Sequence, residues 1–85
     1  MKKLTSKFVQ KYCYFILYDY IDDDKLLYYF DSFDDLKRVV NYPCRKLTSL
    51  FNASNSYVLP VSILKFRKKF YLHLFIDEEL VAQKS

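Results

Sequence analysis

Two stretches of this sequence combine cations and short polar side chains at spacings that suit contact with a polyanion. In the first stretch these side chains recur at helical spacing, so that they lie on or beside one face of a helix. In the second stretch, cations occupy four of five consecutive positions. Cations, hydroxyls and amides are the groups that contact phosphates and base edges of nucleic acids. The candidate nucleic-acid-binding residues are Arg45, Lys46, Ser49 and Asn52 in the first stretch, and Lys65, Arg67, Lys68 and Lys69 in the second.

Residues for catalysis or metal binding are scarce. His73 is the only histidine, and its aromatic neighbours are typical of a half-buried structural side chain. The chain has no glycine, which argues against Walker and dinucleotide-binding loops. Cys13 and Cys44 lack Cys-x-x-Cys spacing, so a metal site would lack ligands. We expect no enzymatic activity, no cofactor and no metal, and two reduced thiols, with a disulfide between them left open.

Charge is unevenly distributed along the chain. Residues 43–85 hold seven cations and three acids, whereas residues 19–35 hold seven aspartates and one lysine. An acidic stretch with exposed tyrosines is an alternative interface, because it can imitate phosphates towards a basic protein and because tyrosine is enriched at interface hot spots. The alternative protein-binding residues are Asp22, Asp23, Asp24, Asp34, Asp35, Tyr18, Tyr20 and Tyr42.

Two short helices are predicted in the middle of the chain. Ser32 stands where an N-cap belongs, and Asp35 three residues later completes a capping box. Pro43 ends this helix near Tyr42 and suits the first position of a second one. The second helix should bury Leu47, Leu50 and Phe51. Its opposite side should carry Arg45, Thr48, Ser49 and Asn52. This pattern predicts a helix-turn-helix.

Strands are predicted on both sides of these helices. Residues 12–20 and 25–30 form an antiparallel hairpin, in which Cys13, Phe15 and Leu17 share one face and both faces are apolar enough to be covered. Residues 61–66 and 70–76 form a second hairpin, with the basic run at its tip. Phe70, Leu72, Leu74 and Ile76 should share one face of its last strand. A continuous helix over residues 61–82 is the alternative.

The predicted fold class is therefore a single small α+β domain spanning residues 1–85, with a hairpin, two short helices and a second hairpin. Residues 1–11 are an N-terminal arm, either frayed or forming a short helical turn. Residues 77–85 are a tail that is either a short helix or disordered. Because no apolar run is long enough to cross a bilayer and the basic start is soon interrupted, we expect no membrane association and a cytoplasmic location.

A resemblance follows from this order of elements. The hairpin, then Phe-Asp-Ser-Phe-Asp-Asp-Leu, a short turn and Arg-Lys-Leu-Thr-Ser-Leu-Phe resemble small proteins of phages and low-GC Gram-positive bacteria. The pattern is similar to the DNA-binding repeats of intron-encoded homing endonucleases, over residues 14–72. It departs from them at Tyr42-Pro43 and in a longer, more basic closing strand. The resemblance implies DNA contacts at Arg45, Lys46, Ser49 and Asn52.

The sequence thus favours a non-catalytic DNA-binding protein of phage or mobile-element type, for which a homodimer would supply additional contacts. The alternative is a phage-encoded inhibitor, such as an anti-CRISPR protein, which binds a host nucleic-acid-processing protein through the acidic and tyrosine-rich surface.

Overall fold

A four-stranded antiparallel sheet organises the computed structural model, which describes residues 2–21, 26–63 and 66–84. The strands lie side by side in the order β2-β1-β4-β3. The predicted α+β fold class is confirmed, and the two hairpins join into one sheet. In chain order the described elements are α1 (Ser6–Tyr12), β1 (Cys13–Asp19), β2 (Leu26–Phe30), α2 (Phe33–Leu36), α3 (Cys44–Ser54), β3 (Val58–Ile63), β4 (Lys68–Ile76) and α4 (Glu78–Lys84).

The centre of the sheet is the antiparallel pair formed by β1 and β4. Burial alternates along both strands, as a two-residue side-chain period requires. Phe15 pairs with Leu74 and Leu17 with Leu72, and all four side chains are buried on the inner face. The predicted faces of both strands are therefore confirmed.

The second hairpin is confirmed, and the alternative helix over residues 61–82 is wrong. Its bounds differ from the prediction, because its first strand is Val58–Ile63 and not residues 61–66, and Lys68 and Lys69 belong to β4 and not to the tip. β3 pairs antiparallel with β4, and β4 stays extended as far as Ile76. Pro60 is compatible with β3 because this strand lies at the sheet edge, where a missing backbone donor is tolerated. The tail forms α4, and the Asp77 carboxylate accepts a hydrogen bond of 3.1 Å from the Leu80 amide.

Three helices cover the inner face of the sheet. α3 packs against α1 and β3, while α2 packs against β1, β2 and α1. Each of these helices contributes buried apolar side chains to one core, because its apolar positions recur at helical spacing. The fully buried large residues of that core are Phe15, Phe51, Leu17, Leu36, Leu47, Ile63, Leu72, Leu74 and Val9.

Local capping sets where these helices begin. The Ser32 hydroxyl accepts a hydrogen bond from the Asp35 amide at 3.4 Å, which confirms Ser32 as the predicted N-cap. α2 ends at Leu36, earlier than predicted, and residues 37–39 form turns instead of further helix. Pro43 is the N-cap of α3 and not its first residue, since its ψ of 151° is extended. The predicted arm forms α1, whose N-cap Thr5 accepts a hydrogen bond from the Phe8 amide.

The outer face of the sheet differs from the prediction that both faces would be covered. Tyr14, Ile16 and Tyr18 on β1 are only half-buried, whereas the inner residues between them are fully buried. α1, α2 and α3 all place their buried residues in the core on the inner side. The sheet is therefore one wall of a two-layer domain, with its aromatic side turned outward.

Candidate nucleic-acid interface

α3 begins and ends at defined capping residues. Pro43 and Cys44 begin the helix, and Asn55 ends it in the left-handed conformation, with a φ of 52°. Asparagine tolerates this conformation better than most residues. The amide of Asn55 donates to the Asn52 carbonyl at 3.2 Å, and the amide of Ser56 donates to the Phe51 carbonyl at 3.5 Å. These hydrogen bonds supply donors to carbonyls of the last helical turn, which have no partner within the helix.

Three of the four predicted helix residues lie at the surface of α3. Arg45, Lys46 and Ser49 are exposed, and α3 contains no acidic residue. Arg45 and Ser49 are four residues apart and therefore project from the same side of the helix. The Lys46 ammonium lies 5.7 Å from the centre of the Tyr42 ring, a cation–π contact that orients it. The helix presents two cations and a hydroxyl on adjoining parts of its surface.

Asn52, the fourth predicted residue, serves the fold instead. Its Oδ1 accepts a hydrogen bond from the Leu4 amide, and its Nδ2 donates to the Leu4 carbonyl, both at 2.8 Å. Both ends of the side-chain amide are thus engaged by backbone. Because its oxygen and its nitrogen are both hydrogen bonded to the N-terminal arm, the Asn52 side chain is unsuited to contact a base edge.

Thr48 was also expected on the exposed side of α3, and that expectation is wrong. The residue is buried, and its hydroxyl donates a hydrogen bond of 2.8 Å to the carbonyl of Cys44. α1 packs against this side of α3, and the Cys44 thiol lies 3.5 Å from the Ser6 carbonyl. A hydroxyl bonded within its own helix can be buried without an unsatisfied donor.

α1 adds cations that the sequence interpretation did not include. Lys7 and Lys11 are exposed, and their four-residue spacing puts them on one side of α1. Because α1 contains no acidic residue and packs on α3, its lysines extend the cationic surface of α3. The signal that could have identified α1 is Thr5, a capping residue three positions before Phe8.

The predicted basic tip is only partly available for ligands. The Lys68 ammonium donates to the Asp19 carboxylate at 2.6 Å, and Asp19 is buried. The Lys69 ammonium lies 5.7 Å from the centre of the Tyr20 ring, which stacks on Tyr71. Arg67 is exposed with a φ of 51°. Lys65 lies outside the described residues.

The alternative protein-binding residues are spread over several elements. Tyr18 and Tyr20 are near the end of β1 on the outer side of the sheet, while Tyr42 is half-buried beside Lys46. Asp34 and Asp35 lie in the first turn of α2, and Asp34 pairs with Lys37 at 3.3 Å on the surface. Asp22, Asp23 and Asp24 lie outside the described residues.

The aromatic side chains of the outer sheet face stack mainly on one another. Tyr14 and Phe75 have ring centres 5.1 Å apart and planes within 8°, and Phe75 is 4.1 Å from His73. Tyr14 and Phe75 therefore form an offset stack, in which part of each ring face covers the other. The flat faces are thus largely used within the protein. This geometry disfavours the outer sheet face as a platform on which bases stack.

The titratable groups suited to catalysis sit in environments that favour their neutral forms. Burial raises the pKa of the Cys13 thiol to about 12, and the nearby Cys44 adds to this effect. Burial also raises the pKa of the Cys44 thiol and lowers that of His73. Both cysteines are free and buried. A thiol held neutral is a poor nucleophile.

Groups of three or more histidine, cysteine, aspartate or glutamate side chains arranged to hold a metal ion are absent from the part of the chain that the structure describes. No helix built from the described residues is long and apolar enough to cross a membrane. Comparison with models of protein families, with characterised proteins and with solved structures finds no match to this chain.

Proposed function

We propose that this protein is a non-catalytic DNA-binding protein, with α3 and the adjoining α1 as its binding surface. The observation that supports this is the segregation of charge: α3 exposes Arg45 and Lys46 and α1 exposes Lys7 and Lys11. The two helices pack together, and neither contains an acidic residue. A surface of this kind gains affinity for a polyanion through release of the counterions that the phosphates hold.

Within this surface the helices have different roles. α3 enters the major groove, where Arg45 and Ser49 face base edges, because a helix fits that groove and arginine reads guanine bidentately. Lys7 and Lys11 on α1 contact flanking phosphates, which fix the orientation of the helix without reading sequence. Asn52 holds the N-terminal arm and takes no part in readout.

The β3–β4 connection contributes a secondary contact. Three residues join the end of α3 to the start of β3, and α3 packs on β3, so the chain reverses direction between them. The start of α3, with Arg45, therefore points to the end of the sheet where Arg67 lies. Arg67 adds a phosphate contact there. Lys68 does not, because its charge is matched by Asp19.

A salt titration of binding to a mixed-sequence DNA duplex, followed by fluorescence anisotropy, tests the proposal. We compare R45E/K46E with K37E/R38E, two pairs of adjacent exposed cations whose reversal changes the net charge equally. R45E/K46E should lower affinity by at least about tenfold and should reduce the slope of log affinity against log salt by about two. K37E/R38E should stay close to wild type.

Two results would overturn this proposal. Equal losses in both variants would mean that net charge alone governs binding. Absence of binding to duplex DNA at low salt would remove the function itself. A single surface of this size makes few contacts, so we further propose that sequence-specific binding requires two copies on neighbouring half-sites.

The second candidate is an inhibitor, such as an anti-CRISPR protein, that binds a basic host protein. The exposure of Tyr20, at 41%, and of the Asp34 carboxylate supports it. Replacing Asp22, Asp23 and Asp24 by lysine separates the candidates, since it should abolish such inhibition and spare DNA binding. For either function we propose the cytoplasm, a compartment that keeps thiols reduced.

A further inference from the structure

The two edges of the sheet differ in their protection against strand pairing. An edge strand carries unpaired backbone N–H and C=O groups, which charged side chains and proline normally shield. On one edge, β3 contains Pro60, which has no N–H to offer. On the other edge, β2 reads Leu-Leu-Tyr-Tyr-Phe over residues 26–30, with neither proline nor charge. The β2 edge is therefore the one open to a further strand.

The side chains of β2 also suit a contact with another chain. Tyr28 and Tyr29 are 44% and 55% exposed, whereas other aromatic rings of the sheet, such as Phe15 and Phe70, are buried. Tyr28 stacks on Phe66 with planes 4° apart, and Tyr29 lies 5.6 Å from Tyr14. The two exposed rings are thus held in place by neighbours. Rigid aromatic side chains at a surface lose little entropy when a partner covers them.

The surroundings of β2 are acidic. Asp31 directly follows the strand and is exposed, and its carboxylate lies near the Tyr29 hydroxyl. Partial burial of Tyr29 raises its pKa, and the negative charges of Asp31 and Asp77 raise it further. α2, with Asp34 and Asp35 in its first turn, packs against β2, and Lys37 pairs with Asp34. A chain that pairs with this edge would meet several carboxylates.

We infer that the β2 edge accepts an extended, basic segment of a partner protein as a fifth strand of the sheet. Main-chain hydrogen bonds would supply affinity, and Asp31 and the tyrosines would select cationic and apolar side chains. A second copy of this chain fits less well, because residues 26–30 hold no cation that could meet these carboxylates. The inference does not depend on DNA binding, since it concerns the opposite charge and a different surface.

The test uses isotope-labelled protein and a short peptide of alternating lysine and valine. Isothermal titration calorimetry measures the affinity, and amide hydrogen exchange followed by NMR locates the contact. The amides of residues 26–30 should exchange more slowly when the peptide is bound, and those of β3 should not change. A peptide with the same lysines, but interrupted by prolines that prevent strand formation, should bind at least about tenfold more weakly.

Substitutions on the two edges provide the matched control. Y29K places a cation on the open edge and should weaken peptide binding by at least about tenfold. S62K makes the equivalent change on β3, where Ser62 is exposed, and should have little effect. If Y29K reduces the thermal midpoint, D31K replaces it, because Asp31 is exposed beyond the strand.

Three outcomes would overturn the inference. The first is equal affinity for the proline-containing peptide, which would mean a purely electrostatic contact. The second is slower exchange in β3 in place of β2. The third is a concentration-dependent dimer with slower exchange in residues 26–30 without peptide, which would identify the occupant as a second copy.

Discussion

The side-chain amide of Asn52 and the backbone of Leu4 form two hydrogen bonds, one in each direction and both 2.8 Å long. This reciprocal pair resembles the two hydrogen bonds that paired residues exchange in an antiparallel sheet, except that a side-chain amide replaces the backbone of one residue. They fix the N-terminal arm to the end of α3 and hold Leu4 in the core, where it is buried.

Substitution N52A should therefore destabilise the protein. It removes both hydrogen bonds and leaves the partly buried backbone of Leu4 without these partners, a cost of about 1–3 kcal/mol in the free energy of unfolding. Urea denaturation followed by circular dichroism measures the change. The control is S49A on the same helix, where the side chain is exposed and the change should be within about 0.5 kcal/mol. Equal stability of the two variants would contradict this role for Asn52.

Lys68 should matter more for stability than Lys69. Substitution K68A leaves the buried Asp19 carboxylate without this cation, which should lower the free energy of unfolding by about 1–3 kcal/mol. Lys69 is an exposed cation beside an aromatic ring, so K69A should cost less than about 1 kcal/mol. Thermal and urea unfolding measure the stability of both variants. The comparison is matched because each variant replaces a lysine by alanine at neighbouring positions. A larger loss in K69A would refute the assignment.

His73 should make the protein less stable in mild acid. Burial lowers its pKa from the ordinary value of 6.5, so below that pH the unfolded chain binds a proton that the folded protein does not. Stability is thus fully present above pH 6.5 and declines as pH falls towards the lowered pKa. Melting temperatures across this window should fall less in H73F, in which a phenyl ring replaces imidazole beside Phe75. Parallel declines in the two proteins would exclude His73 as the cause.

Both thiols should resist alkylation in the folded protein. The thiolate is the reactive form, and burial raises the pKa of Cys13 to about 12 and also raises that of Cys44. Iodoacetamide labelling near neutral pH, followed by mass spectrometry, should be far slower than in denaturant for both residues. Variants C13A and C44A assign each modification. Rapid labelling of either thiol in folded protein would show that it is reached without unfolding.

The sheet was largely predictable because its side-chain period is simple. Alternation in β1 and β4 identified the buried faces, and Ser32 identified the start of α2. Alternation does not say whether a second layer covers the other face, and here stacked rings such as Tyr14 and Phe75 take much of that role. The ion pair between Lys68 and Asp19 could not be predicted from the sequence either, because these residues meet only when β1 and β4 are aligned.

The candidate site was less predictable because it depends on how α3 is rotated about its axis. The predicted apolar stripe contained Leu50, whereas the buried stripe includes Cys44 and Thr48. This difference arises because α1 packs on that side of α3, and residues 1–11 show no strong period from which α1 could be expected. Because the sequence does not predict that α1 packs there, it places Asn52 among the DNA contacts and leaves out Lys7 and Lys11.

The central pairing of β1 with β4 also affects how the chain can be made. β1 leaves the ribosome well before β4, because β2, α2, α3 and β3 lie between them in the chain. Until β4 emerges, β1 has only β2 beside it and lacks the strand that pairs with it along its whole length. Contacts between such distant segments slow folding. During synthesis the β1–β2 hairpin is therefore a nascent segment open to chaperones or to mispairing, and this domain can complete its fold only after β4 has emerged.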